Sequence, residues 1–140
     1  MLHLKIITPQ KIALEEDVLA VTAPTTQGEI TVLPRHANLF ALLVEGIVKI
    51  GPSDSEGEKK YLAIGGGYLE TDGEEINILV SRAYGQGEID AQKTQKAIDE
   101  AKKIISQAKD ESQSKEAMSV LRRSFIDMKL LKRRKQKSTV

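Results

Sequence analysis

Hydrophobic and polar residues alternate in short stretches through the first half of the chain. Leu2, Leu4 and Ile6 alternate with His3 and Lys5, which is the pattern of a strand with one buried face. Many such stretches, with no long helical pattern between them, predict a β-sandwich or barrel and disfavour a βαβ fold. The further predicted strands, rich in β-branched residues, lie at 17–23, 29–33, 39–50, 61–64 and 76–80.

Segments rich in glycine, proline and polar residues separate these strands. Proline fixes φ and glycine tolerates positive φ, so both favour tight turns. The predicted turns lie at 24–28, Pro34, 51–54 and 71–73.

The pattern changes after Gly85-Gln86-Gly87, where apolar residues begin to recur every three or four positions. This spacing places them on one stripe of a helix. Asp90 is the predicted N-cap, because its carboxylate can accept hydrogen bonds from the unpaired N–H groups of the first turn. The stripe consists of Ala91, Ala97, Ile98, Ala101, Ile104, Ile105 and Ala108.

A second helix is predicted after the polar segment 109–114, with Ser114 as its cap. Its stripe consists of Ala117, Leu121, Phe125, Met128 and Leu131. Two amphipathic helices with a short connection predict an antiparallel hairpin. The alanine-rich first stripe buries little apolar area, worth about 25 cal/mol per Å², so the seam is expected to be marginally stable and the hairpin able to move. A hairpin docked permanently over the sheet is the alternative.

Charge divides the chain after Glu88. Before that point seven Lys/Arg oppose thirteen Asp/Glu, and after it fourteen oppose seven, so the two parts carry net charges of −6 and +7. This asymmetry predicts a domain boundary, with domains at 1–87 and 88–140. The basic second part is expected to seek acidic surfaces, on its own first part or on a partner.

Length and composition limit the class of protein. The 140 residues suffice for one domain with an appendage, and 40% of them are hydrophobic, which supports a core. There is no cysteine, so disulfides and thiolate chemistry are excluded. No apolar stretch approaches the roughly 20 residues that span a bilayer, and the first residues lack the features of a signal peptide. A soluble, cytosolic protein is therefore expected.

Glycine-rich segments of the chain do not form a standard phosphate or dinucleotide site. The sequence contains no G-x-x-x-x-G-K-[ST], and Gly65-Gly66-Gly67 is followed by Tyr68. In Gly85-Gln86-Gly87, Asp90 stands where a dinucleotide fingerprint has its third glycine. We interpret this segment as an interdomain hinge.

Catalytic constellations are also missing from the sequence. His3 and His36 have neither the spacing of a zinc site nor the companions of a hydrolase triad. The carboxylates are scattered, so no acid/base pair can be nominated. We predict no catalytic residue, no metal site and no cofactor.

The basic end of the chain, 132–137, suggests nucleic-acid binding as an alternative function. No aromatic residues interleave with it as stacking platforms, and Asp127 lies just before it. A solvated tail is the favoured interpretation. The alternative is a generic interaction module with a sandwich for one partner and a nucleic-acid-binding hairpin.

Two ordered motifs resemble those of F-type ATP synthase epsilon subunits. The first is Gly28-Glu29, followed by Leu33-Pro34-Arg35-His36-Ala37, and the second is Gly65-Gly66-Gly67-Tyr68-Leu69-Glu70. Gly46 and the late change to two helices extend the resemblance over essentially the whole chain. Asn38 and Glu45 replace prolines that are usual in the family, which affects loop details.

The resemblance implies a fold and a set of partners. The expected fold is an N-terminal ten-stranded β-sandwich followed by a C-terminal antiparallel two-helix hairpin. The expected partners are the gamma subunit and the membrane ring of c subunits, whose proton- or sodium-driven rotation such a rotor part transmits without an active site. Glu29, with His36, is the expected contact with the c ring. The expected location is peripheral, on the cytoplasmic face of a bacterial plasma membrane, through the complex.

The resemblance also implies roles for the hairpin. In bacterial relatives it can extend along gamma into the catalytic head and block ATP hydrolysis, and here Arg122, Arg123 and Lys129 are the expected inhibitory contacts. Some relatives bind ATP through a motif like I-D-x-x-R-A and two arginines four residues apart. This chain retains Ile89, Asp90 and Arg123, but Lys93 replaces the motif arginine, Thr94 its alanine and Asp127 the second arginine. ATP binding is therefore expected to be weak or absent.

Overall fold

The computed structural model describes residues 1–51 and 58–138, with side chains as far as Arg133. The chain divides after Gly85 into two compact units, and the predicted boundary after Gly87 falls inside a short 3-10 helix, Gln86–Glu88. The part of the predicted turn from Pro52 to Asp54, and the side chains of the basic tail beyond Arg133, lie outside the described residues.

The first unit is a ten-stranded β-sheet that folds over into a sandwich, which confirms the predicted fold class. Its hydrogen-bonded strand order is β10-β7-β6-β3-β5-β8-β9-β1-β2, with β4 paired to β3. The strands are β1 (Leu2–Ile7), β2 (Ile12–Val18), β3 (Ala20–Thr25), β4 (Gly28–Val32), β5 (Leu39–Leu43), β6 (Gly46–Gly51), β7 (Lys60–Ile64), β8 (Gly67–Thr71), β9 (Glu75–Val80) and β10 (Ala83–Tyr84).

Several strand predictions need correction. The predicted strand 17–23 covers the end of β2 and most of β3, and the predicted strand 39–50 is two strands, β5 and β6, joined by a turn. Strands β2, β8 and β10 were not predicted as separate elements. β2 carries three consecutive acidic residues, Glu15 to Asp17, and forms the end of the sheet, where hydrophobic alternation is weak.

The core consists of the inward residues of alternate strand positions. Leu4 and Ile6 of β1 are fully buried and lie in register with Ile76 and Ile78 of β9, which runs parallel to β1. Each large aliphatic side chain buried in this way stabilises the fold by about 1.5–3 kcal/mol. Outward positions of the same strands are thereby fixed in place, because successive side chains alternate between the two faces.

An ion pair joins two distant parts of the sheet. The Nζ atom of Lys60 on β7 donates to Oε2 of Glu16 on β2 at 2.9 Å. β2 is the last strand of the hydrogen-bonded order and β7 is the second, so this contact draws the two ends of the sheet together. The sandwich therefore approaches a closed barrel along this side.

Gly67, in the triple-glycine segment, is required by close strand packing. A Cβ atom at this position would lie 1.9 Å from the carbonyl oxygen of Leu79 and 2.8 Å from the Cα atom of Val80. These are backbone atoms of the paired strand β9 and cannot rotate away. Close strand packing therefore explains this glycine without a role in binding phosphate.

The second unit contains two helices, α1 (Ala91–Gln107) and α2 (Glu111–Ser138), after the 3-10 helix. The predicted N-cap is confirmed, because the Asp90 carboxylate accepts hydrogen bonds from the N–H groups of Gln92 and Lys93 at 2.9 and 3.0 Å. The Ser114 cap is wrong. Asp110 caps α2 by accepting from the N–H of Gln113 at 3.0 Å, so the helix begins four residues earlier than predicted.

The two helices pack through a seam of mostly small or polar residues. The buried residues are Thr94, Ile98 and Ala101 on α1 and Ala117, Ser124 and Leu130 on α2. Two members of the predicted stripes, Ile104 and Phe125, are instead 48% and 49% exposed. Lys102 Nζ lies 5.9 Å from the centroid of the Phe125 ring, a cation–π contact on the hairpin surface.

The predicted hinge segment is locally ordered. Residues Gln86–Glu88 form the 3-10 helix, and the left-handed glycines among the described residues are Gly28 and Gly73 rather than Gly85 or Gly87. Neither hinge glycine is therefore required by its backbone conformation. A hinge at this junction stays a prediction.

Neither α1 nor α2, taken over the described residues 91–107 and 111–138, is long and apolar enough to cross a bilayer.

Candidate interaction surfaces

An apolar row crosses the outer face of five neighbouring strands. The strand registers place Leu42 opposite Tyr68, Tyr68 opposite Leu79, Leu79 opposite Ile7, and Ile7 opposite Ile12. Leu42 and Ile12, at the two ends, are 56% and 54% exposed, and the three between them are half-buried. We call these five residues the apolar row.

Phe40 enlarges the apolar row at its β5 end. Its side chain is 61% exposed, and its ring stacks on that of Tyr68 with centroids 5.2 Å apart and an interplanar angle of 28°. Aromatic rings contribute large contact areas and are enriched at protein interfaces. An exposed phenylalanine beside a continuous apolar row therefore marks a candidate protein-binding surface.

Polar and charged residues border the row on the same face. One register step away, Glu70, Asn77, Lys5 and Glu15 face outward, and the next step brings Glu75, His3 and Asp17 into line. Lys5 Nζ lies 3.9 Å from Oε2 of Glu15. The face thus has an apolar band with a charged margin, the usual anatomy of a specific protein interface.

His3 is held between two carboxylates in this margin. Its Nδ1 lies 2.8 Å from Asp17 and its Nε2 lies 2.7 Å from Glu15. Ionised carboxylates only accept hydrogen bonds, so the imidazolium form, in which both ring nitrogens donate, is the form that this arrangement favours. These bonds, first to Asp17 and then to Glu15, raise the pKa of His3 above its ordinary value. Their stabilising contribution is present at low pH and is lost as pH rises through the raised pKa.

Glu29 stands at the beginning of β4, directly after a tight turn. Its side chain is 55% exposed, and Oε1 lies 3.7 Å from Nζ of Lys49 on β6. The turn before it is ordered by Thr25, whose hydroxyl oxygen accepts from the N–H of Gln27 at 3.1 Å. The carboxylate is thus presented to solvent from a fixed position with one nearby cation.

His36 lies in an exposed turn after β4. Its Nδ1 donates to the carbonyl oxygen of Ala37 at 2.8 Å, and its N–H donates to Leu33 at 3.2 Å. The turn is fastened to the β8–β9 turn, because the N–H of Arg35 donates to the carbonyl of Gly73 at 2.9 Å. Gly73 has φ +92° and leaves no room for a Cβ atom, which would lie 2.6 Å from the His36 carbonyl oxygen.

The structure does not bring Glu29 and His36 together. The turn beside Glu29 lies near the end of β5, where the N–H of Thr26 donates to Leu42 at 3.1 Å. The His36 turn lies at the other end of β4, beside Gly73. Strand β4 alone separates them by about 10 Å, at roughly 3.3 Å per residue. They therefore lie at two separate places on the surface.

Glu45, which replaces the family's usual proline, has a partner of its own. Its carboxylate forms an ion pair with the guanidinium group of Arg82, and both side chains are less than a third exposed. The pair joins the β5–β6 turn to the segment between β9 and β10. This substitution is therefore accommodated by a tertiary contact.

The residues of the candidate nucleotide site do not form a phosphate cradle. The Asp90 carboxylate caps α1, and the bonds from Lys93 N–H and Gln92 N–H hold the pKa of Asp90 below its ordinary value. Lys93 and Arg123 are exposed and Ile89 is half-buried. The groove between α1 and α2, about 570 Å³, contains none of these four residues. Its lining is apolar and acidic: Ala97, Glu100, Ala101, Ile104, Gln107, Gln113, Glu116, Ala117 and Val120.

The basic residues expected to be inhibitory lie exposed on α2. Arg122 and Lys129 are seven residues apart, so two helical turns place them on one face, with Arg123 beside them. In the described part of the chain no three His, Asp or Glu side chains are grouped to hold a metal ion.

Comparison with known proteins identifies relatives over most of the chain. Residues 1–86 match the family model described as ATP synthase, Delta/Epsilon chain, beta-sandwich domain. The ATP synthase epsilon chain of Sulfurovum sp. (strain NBC37-1) is 36% identical over 112 residues, which are 80% of this chain and 85% of that protein. The ATP synthase epsilon chain of Nitratidesulfovibrio vulgaris (strain DP4) is 30% identical over 129 residues, 92% of this chain and 94% of that protein.

A solved structure has a similar fold. A chain in the cryo-EM structure of the Euglena gracilis mitochondrial ATP synthase, comprising OSCP, F1 and c-ring, superposes with a TM-score of 0.77 at 28% identity. The match covers 86% of this chain and 74% of that chain.

We predict that ATP binds the isolated chain weakly or not at all. The groove between the helices carries Glu100 and Glu116, and Asp127 stands where an arginine would face the phosphates. Isothermal titration calorimetry should detect no micromolar affinity. The variant that combines Lys93→Arg with Asp127→Arg should bind more tightly than the parent, because arginine offers a bidentate fork for phosphate. Micromolar binding by the parent chain would contradict the prediction.

Proposed function

The chain belongs to the ATP synthase delta/epsilon family, and we propose that it is the epsilon subunit of an F-type ATP synthase central stalk. In this role it is a non-catalytic rotor part that couples proton or sodium flow through the c ring to ATP synthesis. The observation that carries the proposal, beyond the family itself, is the apolar row with Phe40 on the outer face of the sandwich.

The apolar row is the proposed binding surface for the gamma subunit. Ile12, Phe40 and Leu42 are each more than half exposed, although each lies on a well-ordered strand. Burying such side chains against a partner yields about 25 cal/mol per Å² of apolar area removed from water. The charged margin around the row would then fix the orientation of the partner.

Glu29 and His36 are the proposed contacts with the c ring. Glu29 supports this role because it is exposed on a turn fixed by hydrogen bonds, so it can meet basic ring loops without a change in the core. Since Glu29 and His36 lie at opposite ends of β4, they would contact different parts of the partner surface, and each needs its own test.

The hairpin is the proposed inhibitor of ATP hydrolysis. Its net charge of +7 favours acidic surfaces in the catalytic head, and Arg122, Arg123 and Lys129 are exposed on α2. The seam of small residues between α1 and α2 makes a rearranged hairpin accessible. Inhibition then depends on the population of the extended state.

Location follows from the proposed complex. The subunit would sit at the cytoplasmic face of a bacterial plasma membrane, attached through gamma and the c ring. The alternative function, a nucleic-acid-binding module, predicts strongly salt-dependent binding to nucleic acid and no gamma partner. Recovery of the chain with gamma decides between the two.

Substitutions in the apolar row and at Phe40 should weaken gamma binding without unfolding the chain. Phe40→Glu and Leu42→Glu place a charge where apolar contact is proposed, so each is expected to raise the Kd by about tenfold or more. Leu19→Glu is the matched control, since Leu19 is also exposed but lies outside the row. Titration of gamma with each variant measures the effect, and circular dichroism checks the fold. Equal losses in all three variants would refute the assignment.

Cysteine cross-linking tests the c-ring contacts separately. The chain has no cysteine, so Glu29→Cys or His36→Cys supplies a single thiol that can be paired with cysteines in the ring loops. We expect a disulfide from Glu29→Cys in the assembled enzyme. Glu111→Cys at the start of α2 is the control and should not react. Efficient coupling without a cross-link from Glu29→Cys would remove this residue from the contact.

Truncation tests the division of labour between the two units. A chain ending at Gly87 retains all ten strands, so it should still bind gamma and support synthesis. Hydrolysis should rise, because the basic hairpin is gone. A full-length variant with Arg122, Arg123 and Lys129 changed to alanine loses the three positive charges but keeps the hairpin. It should show part of the same increase in hydrolysis. Unchanged hydrolysis in the truncated complex would contradict the inhibitory role and leave the hairpin with a structural role only.

A further inference from the structure

We propose that Gln86 is a latch that holds α2 in the closed hairpin and so sets how often the hairpin opens. The regulatory meaning of this latch rests on the proposed inhibitory function, but the latch itself is a property of the isolated chain. It is formed entirely within the second unit, between the 3-10 helix and α2.

The latch is a hydrogen bond from a side chain to the main chain. The Nε2 atom of Gln86 donates to the carbonyl oxygen of Leu130 at 2.9 Å. A helical carbonyl has a second lone pair, so it can accept this bond in addition to its bond within the helix. The Leu130 side chain is fully buried, and Gln86 is partly buried. Partial burial strengthens the bond by limiting competition from water.

The position of the latch gives it control over opening. α2 has 28 residues and α1 has 17, so α2 extends beyond the start of α1. Leu130 lies 20 residues after Asp110 in the connecting turn, about 30 Å along the helix at 1.5 Å per residue. The turn ties the helices together at the other end. A hairpin that opens about its turn must therefore separate widely at Leu130, which lies far from the pivot.

The rest of the buried seam on the described part of α2 consists mainly of small side chains. Leu130 is the largest fully buried side chain on the described part of α2, and the other buried residues of this helix are Ala117 and Ser124. Small side chains bury little apolar area. Against such a seam, the loss of a single hydrogen bond far from the turn should measurably raise the open population.

Two substitutions break the latch in different ways. Gln86→Glu keeps the length of the side chain but replaces the amide donor with a carboxylate that repels the Leu130 carbonyl. Gln86→Asn keeps the amide but is one methylene too short to reach. Each should raise the open population about two- to tenfold, the range expected for one hydrogen bond. Gln92→Glu and Gln92→Asn are the matched controls, because Gln92 is exposed on the first turn of α1.

A buried thiol in the full-length chain measures opening. Ser124→Cys is nearly isosteric, and Ser124 is 6% exposed on α2, so this thiol is modified mainly when α2 leaves its packed position. When closing is fast, the modification rate is proportional to the open population. We expect two- to tenfold faster modification with either Gln86 variant and no change with either Gln92 variant. Ala101→Cys, a second buried probe on α1, checks that the result does not depend on the probe site.

The outcomes separate the latch from the proposed function. Equal modification rates in the parent and the Gln86 variants, or an equal increase in the Gln92 variants, would overturn the latch. In the assembled enzyme, faster modification should accompany lower ATP hydrolysis, since an open hairpin is available to extend. Faster modification with unchanged hydrolysis would confirm the latch and count against the inhibitory role.

Discussion

The register of strands β5, β8, β9, β1 and β2 is the constraint on which the other features of the first unit depend. Leu4 and Ile6 of β1 are buried in register with Ile76 and Ile78 of β9, so the residues between them must face outward. A slip by one residue would turn the buried set to solvent, which costs about 1.5–3 kcal/mol for each large side chain. The same register aligns Leu42, Tyr68, Leu79 and Ile7, and a shift in the β1–β2 register between Ile6 and Ile7 brings Ile12 opposite Ile7 to complete the apolar row. The apolar row, which is the proposed gamma-binding surface, is thus a consequence of how the core is packed.

The second unit is stabilised differently from the first. Its seam is built mostly from small and polar residues, and fourteen of the 21 lysines and arginines of the chain follow Glu88. Close packing of small residues lets the helices approach, yet it contributes little hydrophobic stabilisation. Local contacts such as the Asp90 cap and the Gln86–Leu130 bond therefore have a large share in the stability of the hairpin. A rigid sandwich for attachment and a weakly held hairpin for regulation suit the two tasks of the proposed rotor subunit.

Local signals in the sequence predicted the fold class, the change from strands to helices and the Asp90 cap. They were misleading at the start of α2, where Ser114 and Asp110 are equally good N-cap residue types and Asp110 is the one that accepts from the first turn. Strand β2 was missed because its acidic residues hide the alternation of polar and apolar positions. Strand β8 was missed because it begins at Gly67, and glycine is uncommon in strands except where another backbone approaches closely, as β9 does here. The apolar row joins residues from five strands far apart in sequence, so no local pattern could reveal it. Glu29 and His36 were recognised by resemblance alone, and only the topology shows that they lie apart.

The most direct test of the central claim is hydroxyl-radical footprinting of the full-length chain, alone and bound to gamma. Aromatic side chains react readily, so Phe40 and Tyr68 report on the apolar row, while Leu33 is exposed outside it. We expect gamma to protect Phe40 and Tyr68 strongly and to leave Leu33 reactive. Formation of the complex with undiminished reactivity at Phe40 and Tyr68 would contradict the claim that this row binds gamma.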